Sequence, residues 1–406
     1  MEIDLERVRA ETPGTAHGAY LHNAGTGLLP EPVLTAMKRY LDLEADIGGY
    51  AAADREADRL QAVYASTAAL LNVAPAEIAL TENATVAWQM AFYSLPFQPG
   101  DRILTAEAEY GANYVAYLQI ARRTGARVEV VPGDEHGQLD VDALRAMIDE
   151  RVKLIAITWV PSNGGLVNPA AEVGAIAREH GILYLLDACQ AVGQMPVDVQ
   201  QLGCDMLSAA SRKFLRGPRG TGFLYVRQGL LERLEPPMID HFSAPWVARD
   251  RYELRPDARR FETWENNYAA RLGMGLAIDY ALALGLDAIQ DRTWKLANRL
   301  RCGLAAIPGV EPRDLGRDRS AIVSFTVADH DAHAIVARAA AAGITIGYAD
   351  PDSTRLDAEA RALPTLLRAS PHYYNTDSEI DRLLDLLAGL CPAVATPASA
   401  YRGCKP

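Results

Sequence analysis

The chain has 406 residues, of which 49% are hydrophobic and 23% charged, and its formal net charge is −12. These values are ordinary for a soluble globular protein, and the negative charge argues against a general binder of nucleic acid or of anionic membranes. The length predicts two or three domains. The charged N-terminal residues lack the apolar stretch of a signal peptide, and the absence of a run of about 18 apolar residues predicts no membrane span.

The cysteines are scattered, and none belongs to a CxxC pair. Cys189, Cys204, Cys302, Cys391 and Cys404 therefore fit a reducing cytoplasm better than a disulfide framework or a structural zinc site. We expect a cytoplasmic protein without a bound metal.

Strand-length apolar runs alternate with helix-period segments between residues 85 and 226. The predicted strands are Arg102–Thr105, Arg127–Val131, Leu154–Val160, Ile182–Leu186, Met206–Ala209 and Gly222–Val226. The predicted helices are Thr85–Ser94, Asn113–Arg123, Val141–Ile148 and Ala170–His180. Strands that are apolar at consecutive positions are typical of a mostly parallel sheet covered by helices on both faces. Such a sheet binds its ligand at the carboxyl ends of the strands.

The pattern changes after about Arg260. It predicts helices at Ala269–Leu284, Ile289–Ala306, Ala332–Ala342 and Ile380–Leu390, with strands at Ala321–Val327 and Thr365–Ala369. Thr376 and Glu379 have the spacing of a capping box for the last helix. We expect an N-terminal arm (1–18), a large domain (19–262), a smaller α+β domain (263–395) and a tail (396–406).

One acidic and one basic residue follow neighbouring predicted strands. Asp187 ends a buried apolar run, and Lys213 follows the next strand, just before the Gly-rich turn Gly217–Gly222. A buried carboxylate must find a cationic partner or change its pKa. Pyridoxal phosphate (PLP) needs this pair, because a lysine holds it covalently and an acid keeps its ring nitrogen protonated. The alternative is that the two residues are unrelated loop residues.

The flanking segments resemble the class V aminotransferase family of fold-type I PLP enzymes. The resemblance rests on Tyr184–Gln190, Ser208–Tyr225 and Tyr20–Gly25, and it extends to the stretch from Tyr373 to Asp381. This family includes cysteine desulfurases, isopenicillin N epimerase and kynureninase-like proteins. It implies an α/β fold in which a large domain carries a mostly parallel, seven-stranded-type sheet and is followed by a smaller α+β domain.

A finer likeness concerns two segments, Glu44–Tyr50 and Arg212–Gly222. Within the family, these segments are most similar to the hercynylcysteine sulfoxide lyase-like branch.

The resemblance assigns roles around the cofactor ring. Lys213 matches the lysine that holds the cofactor, and Asp187 matches the partner of the ring nitrogen. Gln190 and Asn163 match residues near the phenolic oxygen. Tyr110 stands where cysteine desulfurases stack a histidine on the ring, and a tyrosine can also stack. The alternative for Tyr110 is a core aromatic.

Further roles concern the phosphate and the substrate. Ala84 and Thr85 match the helix start that holds the phosphate, although a Thr N-cap would explain the same pattern. Arg368 matches the arginine that binds the substrate α-carboxylate through two parallel bonds, its alternative being a surface salt bridge. His22 and Asn23 lie in a segment that the family folds over the active site. His22 could be a substrate contact or an acid–base group, or equally a solvated loop histidine, and His372 near Arg368 has the same alternatives.

Three positions depart from the family pattern. Arg212 replaces the histidine that usually precedes the lysine, and we expect it to supply positive charge to the phosphate. The residues Thr263–Asn267 replace a Gly-Thr pair that reaches the phosphate of the neighbouring subunit, and Glu265 there would repel a phosphate. The stretch 343–367 contains no cysteine, which disfavours a persulfide mechanism through a loop cysteine.

These residues leave several reactions open. Lys213 could act as the base at Cα, and elimination, racemisation and transamination would all use it. A carbon–sulfur lyase acting on a cysteine-derived substrate is our first expectation, followed by an amino-acid epimerase and an aminotransferase. A non-catalytic PLP-fold protein is a remote alternative. A nucleotide-binding Rossmann protein is disfavoured, because no G-x-G-x-x-G follows the first strand. The family also implies a homodimer.

Overall fold

The computed structural model describes residues 3–390, so Cys391, Cys404 and the expected tail at 396–406 lie outside the described residues. The described helices are α1 (Leu5–Ala10), α2 (Glu31–Ile47), α3 (Gly49–Arg55), α4 (Ala57–Leu71), α5 (Ala84–Tyr93), α6 (Gly111–Thr124), α7 (Val141–Met147), α8 (Ala170–His180), α9 (Val199–Leu202), α10 (Gln228–Leu231), α11 (Tyr268–Leu284), α12 (Leu286–Ala305), α13 (Ala332–Ala341), α14 (Arg355–Ala360) and α15 (Asp377–Ala388). Short 3-10 turns occur at Pro13–His17, Pro75–Glu77, Ala258–Phe261 and Pro351–Thr354.

The strands form one large sheet, one smaller sheet and two short pairs. They are β1 (Ala19–Tyr20), β2 (Ile78–Thr81), β3 (Arg102–Ala106), β4 (Arg127–Val131), β5 (Val152–Thr158), β6 (Leu183–Asp187), β7 (Met206–Ala210), β8 (Gly222–Val226), β9 (Trp246–Ala248), β10 (Arg251–Tyr252), β11 (Val310–Pro312), β12 (Val323–Val327), β13 (Ile344–Thr345), β14 (Gly347–Ala349) and β15 (Leu366–Ala369).

The large sheet has seven strands in the order β2-β8-β7-β6-β5-β3-β4. The pairs from β7 to β4 are parallel, whereas β8 runs antiparallel to both β7 and β2. The prediction of a mostly parallel α/β sheet is therefore confirmed. The smaller sheet, β11-β12-β15-β14, is antiparallel throughout.

The predicted elements agree with the observed ones to within a few residues, with two kinds of difference. The predicted strand Leu154–Val160 runs instead from Val152 to Thr158, and the last helix begins at Asp377 rather than Ile380. Its capping box of Thr376 and Glu379 is present as expected. The helices α2, α3 and α4 and the strand β2 were not predicted, although β2 completes the sheet.

The N-terminal segment after the arm crosses to the C-terminal part of the chain. Strand β1 pairs in parallel with β13, and His22 bridges to Ser370 just after β15. The domain boundaries at 18 and 262 remain predictions.

Apolar side chains cover both faces of the large sheet. On one face, Trp88 and Phe92 of α5 and Tyr117 of α6 pack with buried strand residues. On the other face, a larger cluster joins the sheet to α8 and continues into the smaller domain through α11, α12 and α15. Burying a large apolar side chain stabilises the fold by about 1.5–3 kcal/mol, so these clusters hold the sheet edge and the smaller domain together.

The described residues contain no single helix long and apolar enough to cross a membrane. Only α11 and α12 taken together reach that length and composition, and they meet at an angle of 82°.

A glycine allows the start of α5 to approach the sheet. A Cβ atom at Gly222 would lie 2.7 Å from the Ala209 carbonyl oxygen, 2.8 Å from the Asn83 carbonyl carbon and 2.9 Å from the Ala84 nitrogen. All three are backbone atoms, which cannot turn aside as a flexible side chain would. Because Gly222 has no side chain, the N-terminus of α5 can pack this closely against β8.

We expect Gly222→Ala to lower the free energy of unfolding by about 1–3 kcal/mol, because the added methyl group overpacks this contact. Chemical denaturation of the purified variant measures the change. Gly229→Ala is the matched control, since a Cβ atom there would meet only the flexible end of Arg227, at 3.2 Å. Equal stability of both variants would contradict this account.

Candidate active site

The acid and the lysine meet at the carboxyl edge of the large sheet. Asp187 is the last residue of β6, and the parallel register places it opposite Ser208 of β7. Lys213 lies in the turn that follows β7. Asp187 is 4% exposed, and its oxygens accept hydrogen bonds from the Cys189 N–H (3.0 Å) and from Asn113 Nδ2 (3.0 Å). The predicted pair is therefore brought to one edge.

The surroundings of Lys213 favour its neutral amine. Burial lowers the pKa of Lys213, and the guanidinium groups of Arg212 and Arg368 lower it further, while Cys189 and Asp187 oppose the shift. A lysine with a lowered pKa carries a free electron pair more often at neutral pH. Lys213 can thus act as a nucleophile toward a carbonyl group or as a base.

Two amides predicted to lie near the cofactor each have an oxygen without a hydrogen-bond partner. Gln190 donates from Nε2 to the Ala24 carbonyl at 3.1 Å, and Asn163 donates from Nδ2 to the Asp350 carbonyl at 3.1 Å. The buried oxygens Gln190 Oε1 and Asn163 Oδ1 have no hydrogen-bond partner. Buried polar atoms normally have one, so these amides are available to a bound molecule.

Arg368 lies in β15 and is 9% exposed. Its Nη1 donates to the Ser162 carbonyl at 2.7 Å, its buried Nε has no partner, and within residues 3–390 it forms no ion pair. Burial, together with Arg212, lowers the pKa of Arg368 to about 10. This environment is not that of a surface salt bridge. A guanidinium without a carboxylate partner, next to a lysine, is suited to binding a substrate carboxylate.

The first turn of α5 is free to bind an anion. Asn83 rather than Thr85 is the N-cap residue, because Asn83 Oδ1 accepts from the Val86 N–H at 2.9 Å. Ala84 and Thr85 occupy the first turn, where the backbone N–H groups have no carbonyl partner within the helix. Thr85 is exposed, so its hydroxyl is also accessible. The capping alternative for Thr85 is therefore wrong, while its role toward a phosphate stays a prediction.

The N-terminal segment 22–27 closes over the lysine turn. The Gly27 N–H donates to the Arg212 carbonyl at 2.7 Å, and the Arg212 guanidinium donates to the Gly25 carbonyl. Burial and Arg219 lower the pKa of Arg212. Arg212 therefore adds a second cation to the site, and its contact with a phosphate remains a prediction.

His22 is held in a narrow slot. A Cβ atom at Gly25 would lie 2.3 Å from its Nε2, and one at Gly347 would lie 2.1 Å from its Cε1, so only glycines leave room for the ring. Its Nδ1 is buried without a partner. Burial lowers the pKa of His22 to about 4, with further contributions from Arg368 and Arg212. His22 is therefore a neutral imidazole beside two guanidinium groups.

Asn23 and His372 are engaged by the protein itself. Asn23 donates to the Ser370 carbonyl at 2.8 Å and accepts from the Tyr374 hydroxyl at 2.5 Å. His372 Nε2 lies 2.7 Å from the Phe214 carbonyl, and burial holds the pKa of His372 well below its usual value. Both therefore help to hold the segments around Lys213, and substrate contact by His22 and Asn23 stays a prediction.

Tyr110 lies beside the acid. Its backbone N–H donates to Glu109 Oε1 at 2.7 Å, and its pKa is raised by burial and then by Asp187 and Cys189. It is only partly buried, unlike a core aromatic. Stacking of Tyr110 on a cofactor ring stays a prediction.

Arg216 fastens the turn that carries Lys213. It is 1% exposed and adopts a left-handed backbone conformation, with φ 61°. Its guanidinium donates to the Leu28 carbonyl (2.7 Å), the Tyr373 hydroxyl (2.6 Å) and the Thr12 hydroxyl (2.6 Å). Segments from the N-terminal arm and the C-terminal part of the chain thus meet at this turn.

Sequence reasoning missed three residues that contact the expected site. Asn113 donates to Asp187, Glu109 accepts from Asn113 at 3.0 Å, and Ser162 contacts both Arg368 and Gln190. Glu109 and Asn113 have the i, i+4 spacing of neighbours on a helix start, which was the one available signal. The contacts with Asp187 and Arg368 are long-range, so no local pattern could indicate them.

The residues 263–267, which depart from the family pattern, come directly after a residue of a buried ion pair. Glu262 accepts from the Tyr64 hydroxyl at 2.9 Å and the Leu80 N–H at 3.0 Å, and it pairs with Arg271 at 3.0 Å. Glu265 itself lines a groove on the protein surface. Among residues 3–390, no group of three or more His, Cys, Asp or Glu side chains could hold a metal ion.

Comparison with known proteins identifies the family. The model for "Aminotransferase class-V" matches residues 19–383. The chain belongs to the class V aminotransferase family. A probable cysteine desulfurase of Methanothermobacter thermautotrophicus is 31% identical over 394 residues, which cover 95% of this chain and 98% of the relative.

Solved structures agree with this assignment. The apo structure of a cysteine desulfurase from Thermococcus onnurineus has a TM-score of 0.90 at 27% identity and covers 96% of this chain and 98% of its own. A cystine C–S lyase in complex with its reaction product cysteine persulfide has a TM-score of 0.84 at 25% identity, over 93% of this chain and 99% of its own.

These matches confirm the prediction of a class V, PLP-dependent enzyme with an α/β fold. The relatives are cysteine desulfurases, which agrees with the expectation of a carbon–sulfur lyase. They do not single out the hercynylcysteine sulfoxide lyase-like branch.

The residues present fit PLP. Lys213 and Asp187 lie at one sheet edge, Thr85 in the first turn of α5 is exposed, and the buried oxygens of Gln190 and Asn163 have no hydrogen-bond partner. A carbonyl, a cationic ring nitrogen, a phosphate and a phenolic oxygen would each find a suitable group here.

The lowered pKa of His22 predicts a pH effect on stability. The pKa of a histidine is about 6.5 in the unfolded chain, and that of His22 is about 4 in the folded protein. Protons therefore bind more readily to the unfolded chain. His22 should therefore reduce stability as the pH falls from about 6.5 toward 4. Denaturation of the apoprotein across this range should give a shallower decline for His22→Gln.

His180→Gln is the control, because His180 is exposed at the end of α8. Its stability should follow the wild type at every pH. Parallel curves for His22→Gln and the wild type would contradict the buried, neutral state of His22.

Proposed function

We propose that the protein is a PLP-dependent carbon–sulfur lyase that acts on a cysteine-derived amino acid by β-elimination. The observation that carries this proposal is Lys213, whose pKa is lowered by burial, beside buried Asp187. Arg368 is near enough to lower that pKa further, and within residues 3–390 it forms no ion pair. The cysteine desulfurases and the cystine C–S lyase among its relatives support the choice of a carbon–sulfur bond.

Each residue has a distinct task. Bound PLP supplies an electron sink for a carbanion at the substrate Cα. Arg368 binds the substrate α-carboxylate and so fixes the Cα–H bond relative to Lys213. Lys213 takes the Cα proton, the Cβ–S bond breaks, and the sulfur leaves with the bonding electron pair. Addition of water to the remaining unsaturated fragment gives pyruvate and ammonia.

Neither Cys189 nor the segment before Arg368 captures the leaving sulfur. Cys189 lies beside Asp187, but burial and the Asp187 carboxylate raise the pKa of its thiol to about 12. A thiolate is the nucleophilic form of cysteine, so Cys189 is unsuited to accept sulfur. The segment β13–β14–α14, which precedes Arg368, contains no cysteine.

The leaving group distinguishes the candidate substrates. The likeness of Glu44–Tyr50 and Arg212–Gly222 to the hercynylcysteine sulfoxide lyase-like branch favours an S-oxide conjugate. Arg212 and neutral His22, next to Arg368, offer hydrogen-bond donors to such an oxygen. An epimerase or an aminotransferase would use the same Lys213, Asp187 and Arg368, and these reactions are the alternatives.

The first experiment is an absorbance spectrum of the purified protein with PLP, beside Lys213→Ala. We expect a yellow band in the wild type that is absent in the variant, because only a lysine can hold the cofactor covalently. L-cysteine sulfoxide conjugates and a panel of L- and D-amino acids are then added. Release of pyruvate from a sulfur conjugate is expected.

Other results would redirect the proposal. Interconversion of D- and L-amino acids would identify an epimerase, and amination of the cofactor would identify an aminotransferase. A wild type that stays colourless with added PLP would contradict the PLP assignment altogether.

We also propose a cytoplasmic homodimer. Tyr50 (80% exposed), Trp246 (74%) and Leu41 (53%) are unusually accessible apolar side chains, and Leu41 and Tyr50 line one groove with Trp264 and Glu265. A second copy would cover this apolar surface. Glu265 lies in this groove and would repel a phosphate. If the groove reaches the phosphate of the partner subunit, a residue other than Glu265 must contact it. Cys189 and Cys204 form no disulfide, which suits a reducing compartment.

Sedimentation equilibrium at micromolar concentration should give twice the mass of the 44.0 kDa chain. Tyr50→Ser should weaken the association, because it removes the most exposed large apolar side chain of this groove. A monomeric wild type would exclude the dimer.

A further inference from the structure

One buried carboxylate at the sheet edge has no task in the reaction above. Glu109 is 2% exposed and lies between β3 and α6. Within residues 3–390 it forms no ion pair with a cationic side chain. A buried charge of this kind is costly unless its surroundings compensate it.

Five donors surround the Glu109 carboxylate. Oε2 accepts from the hydroxyls of Thr105 (2.7 Å) and Tyr117 (3.2 Å). Oε1 accepts from the Thr158 hydroxyl at 2.5 Å and from the two N–H donors described above, those of Tyr110 and Asn113. The start of α6 adds the positive end of a helix dipole. Such a set of donors is built for an anion.

Asn113 links Glu109 to the acid of the active site. Its Nδ2 donates to Glu109 Oε1 and to Asp187 Oδ2, at 3.0 Å in each case. An amide NH2 has two hydrogens and no acceptor site, so both carboxylates accept from the same group. The positions of Glu109 and Asp187 are therefore coupled through one side chain.

We propose that Glu109 is a positioning residue: it fixes Asp187 through Asn113 and Tyr110 through the backbone N–H, and its charge strengthens the negative potential that retains protons on the bound cofactor. The inference rests on the proposed function, since it requires PLP at this site. Thr158 on β5 and Thr105 on β3 anchor Glu109 to the rigid sheet. Asp187 and Tyr110 are thus both held from Glu109.

Burial raises the pKa of Glu109, and neighbouring Asp187 raises it as well, while the hydrogen bonds of Thr158, Thr105 and Asn113 oppose the shift. The titratable groups that face it are Asp187, Tyr117 and Tyr110. Tyr117 is protonated at neutral pH, because burial and Glu109 raise its pKa further. The charge state of Glu109 is therefore the variable to test.

Glu109→Gln tests the charge without disturbing the geometry. The glutamine Oε1 can accept from the same three donors, and its Nε2 can donate to the Thr105 and Tyr117 hydroxyls, which also accept. The readout is the pH midpoint at which the absorbance of the lysine-bound cofactor changes. Loss of a negative charge should lower this midpoint by about half a pH unit or more, while the melting temperature of the apoprotein stays near that of the wild type.

Three comparisons complete the test. Glu107→Gln removes the same charge two residues earlier and should leave the midpoint unchanged. Tyr117→Phe removes a donor without a charge and should lower apoprotein stability with little effect on the midpoint. Asn113→Ala should lower the cofactor affinity. In the double variant with Glu109→Gln, the loss of cofactor affinity should be smaller than the sum of the two single losses, because both residues act on the same link.

The wild-type spectrum tests the proposed function before any variant is compared. Given a yellow wild type, an unchanged midpoint in Glu109→Gln would overturn the electrostatic role. The proposal would also be overturned if Glu109→Gln lost equal stability with and without the cofactor and if its effect on cofactor affinity simply added to that of Asn113→Ala. Glu109 would then be a structural residue.

Discussion

The parallel pairing of β6 with β7 is the constraint on which the site depends. It sets Asp187 opposite Ser208 and sends the chain directly into the turn that holds Lys213. Both strands are buried, and a one-residue slip would move every side chain to the opposite face and disrupt the packing on both sides. The acid and the lysine are therefore positioned by the core rather than by the loops around them. Loops such as segment 22–27 then only have to close over a pair that is already in place.

The electrostatics of this edge oppose those of the molecule as a whole. The chain carries a net charge of −12, yet Arg212, Arg368 and Lys213 gather around a small space in which His22 stays neutral. Buried Asp187 and Glu109 lie on the sheet side of that space. The guanidinium groups of Arg212 and Arg368 therefore lie beside Lys213, while Asp187 and Glu109 are held by hydrogen bonds to the scaffold. Such an arrangement attracts an anionic amino acid or phosphate even though the protein is acidic.

The sequence could predict local features, such as strands and the residues at their ends, better than long-range contacts. Strands and helices between residues 102 and 226 followed from apolar runs, because burial on both faces leaves a clear pattern. Asp187 and Lys213 followed from their places at strand ends, and the family resemblance gave Arg368 a role before its contacts were known. The helices α2 and α4 were missed, although apolar residues such as Val33 and Val63 are buried there.

Side-chain partners could not be predicted in the same way. The resemblance assigned Asn23 to the substrate, but it could not indicate the hydrogen bonds of its amide to Ser370 and Tyr374, which are some 350 residues away. The sequence analysis gave Glu109 no role. Its partners lie on β3, β5 and α6, and only the folded sheet brings them together.

The contacts of Arg216 have a consequence for the order of folding. Its guanidinium joins Thr12 and Leu28 near the start of the chain to Tyr373 near its end. Contacts between residues so far apart in sequence are slow to form, because a long loop must close first. The large sheet can assemble from nearer contacts, but the turn that carries Lys213 stays loosely held until both ends of the chain have arrived. Capture of the cofactor thus belongs to the last stage of maturation, and a nascent chain still lacking its final segment would not yet hold it firmly.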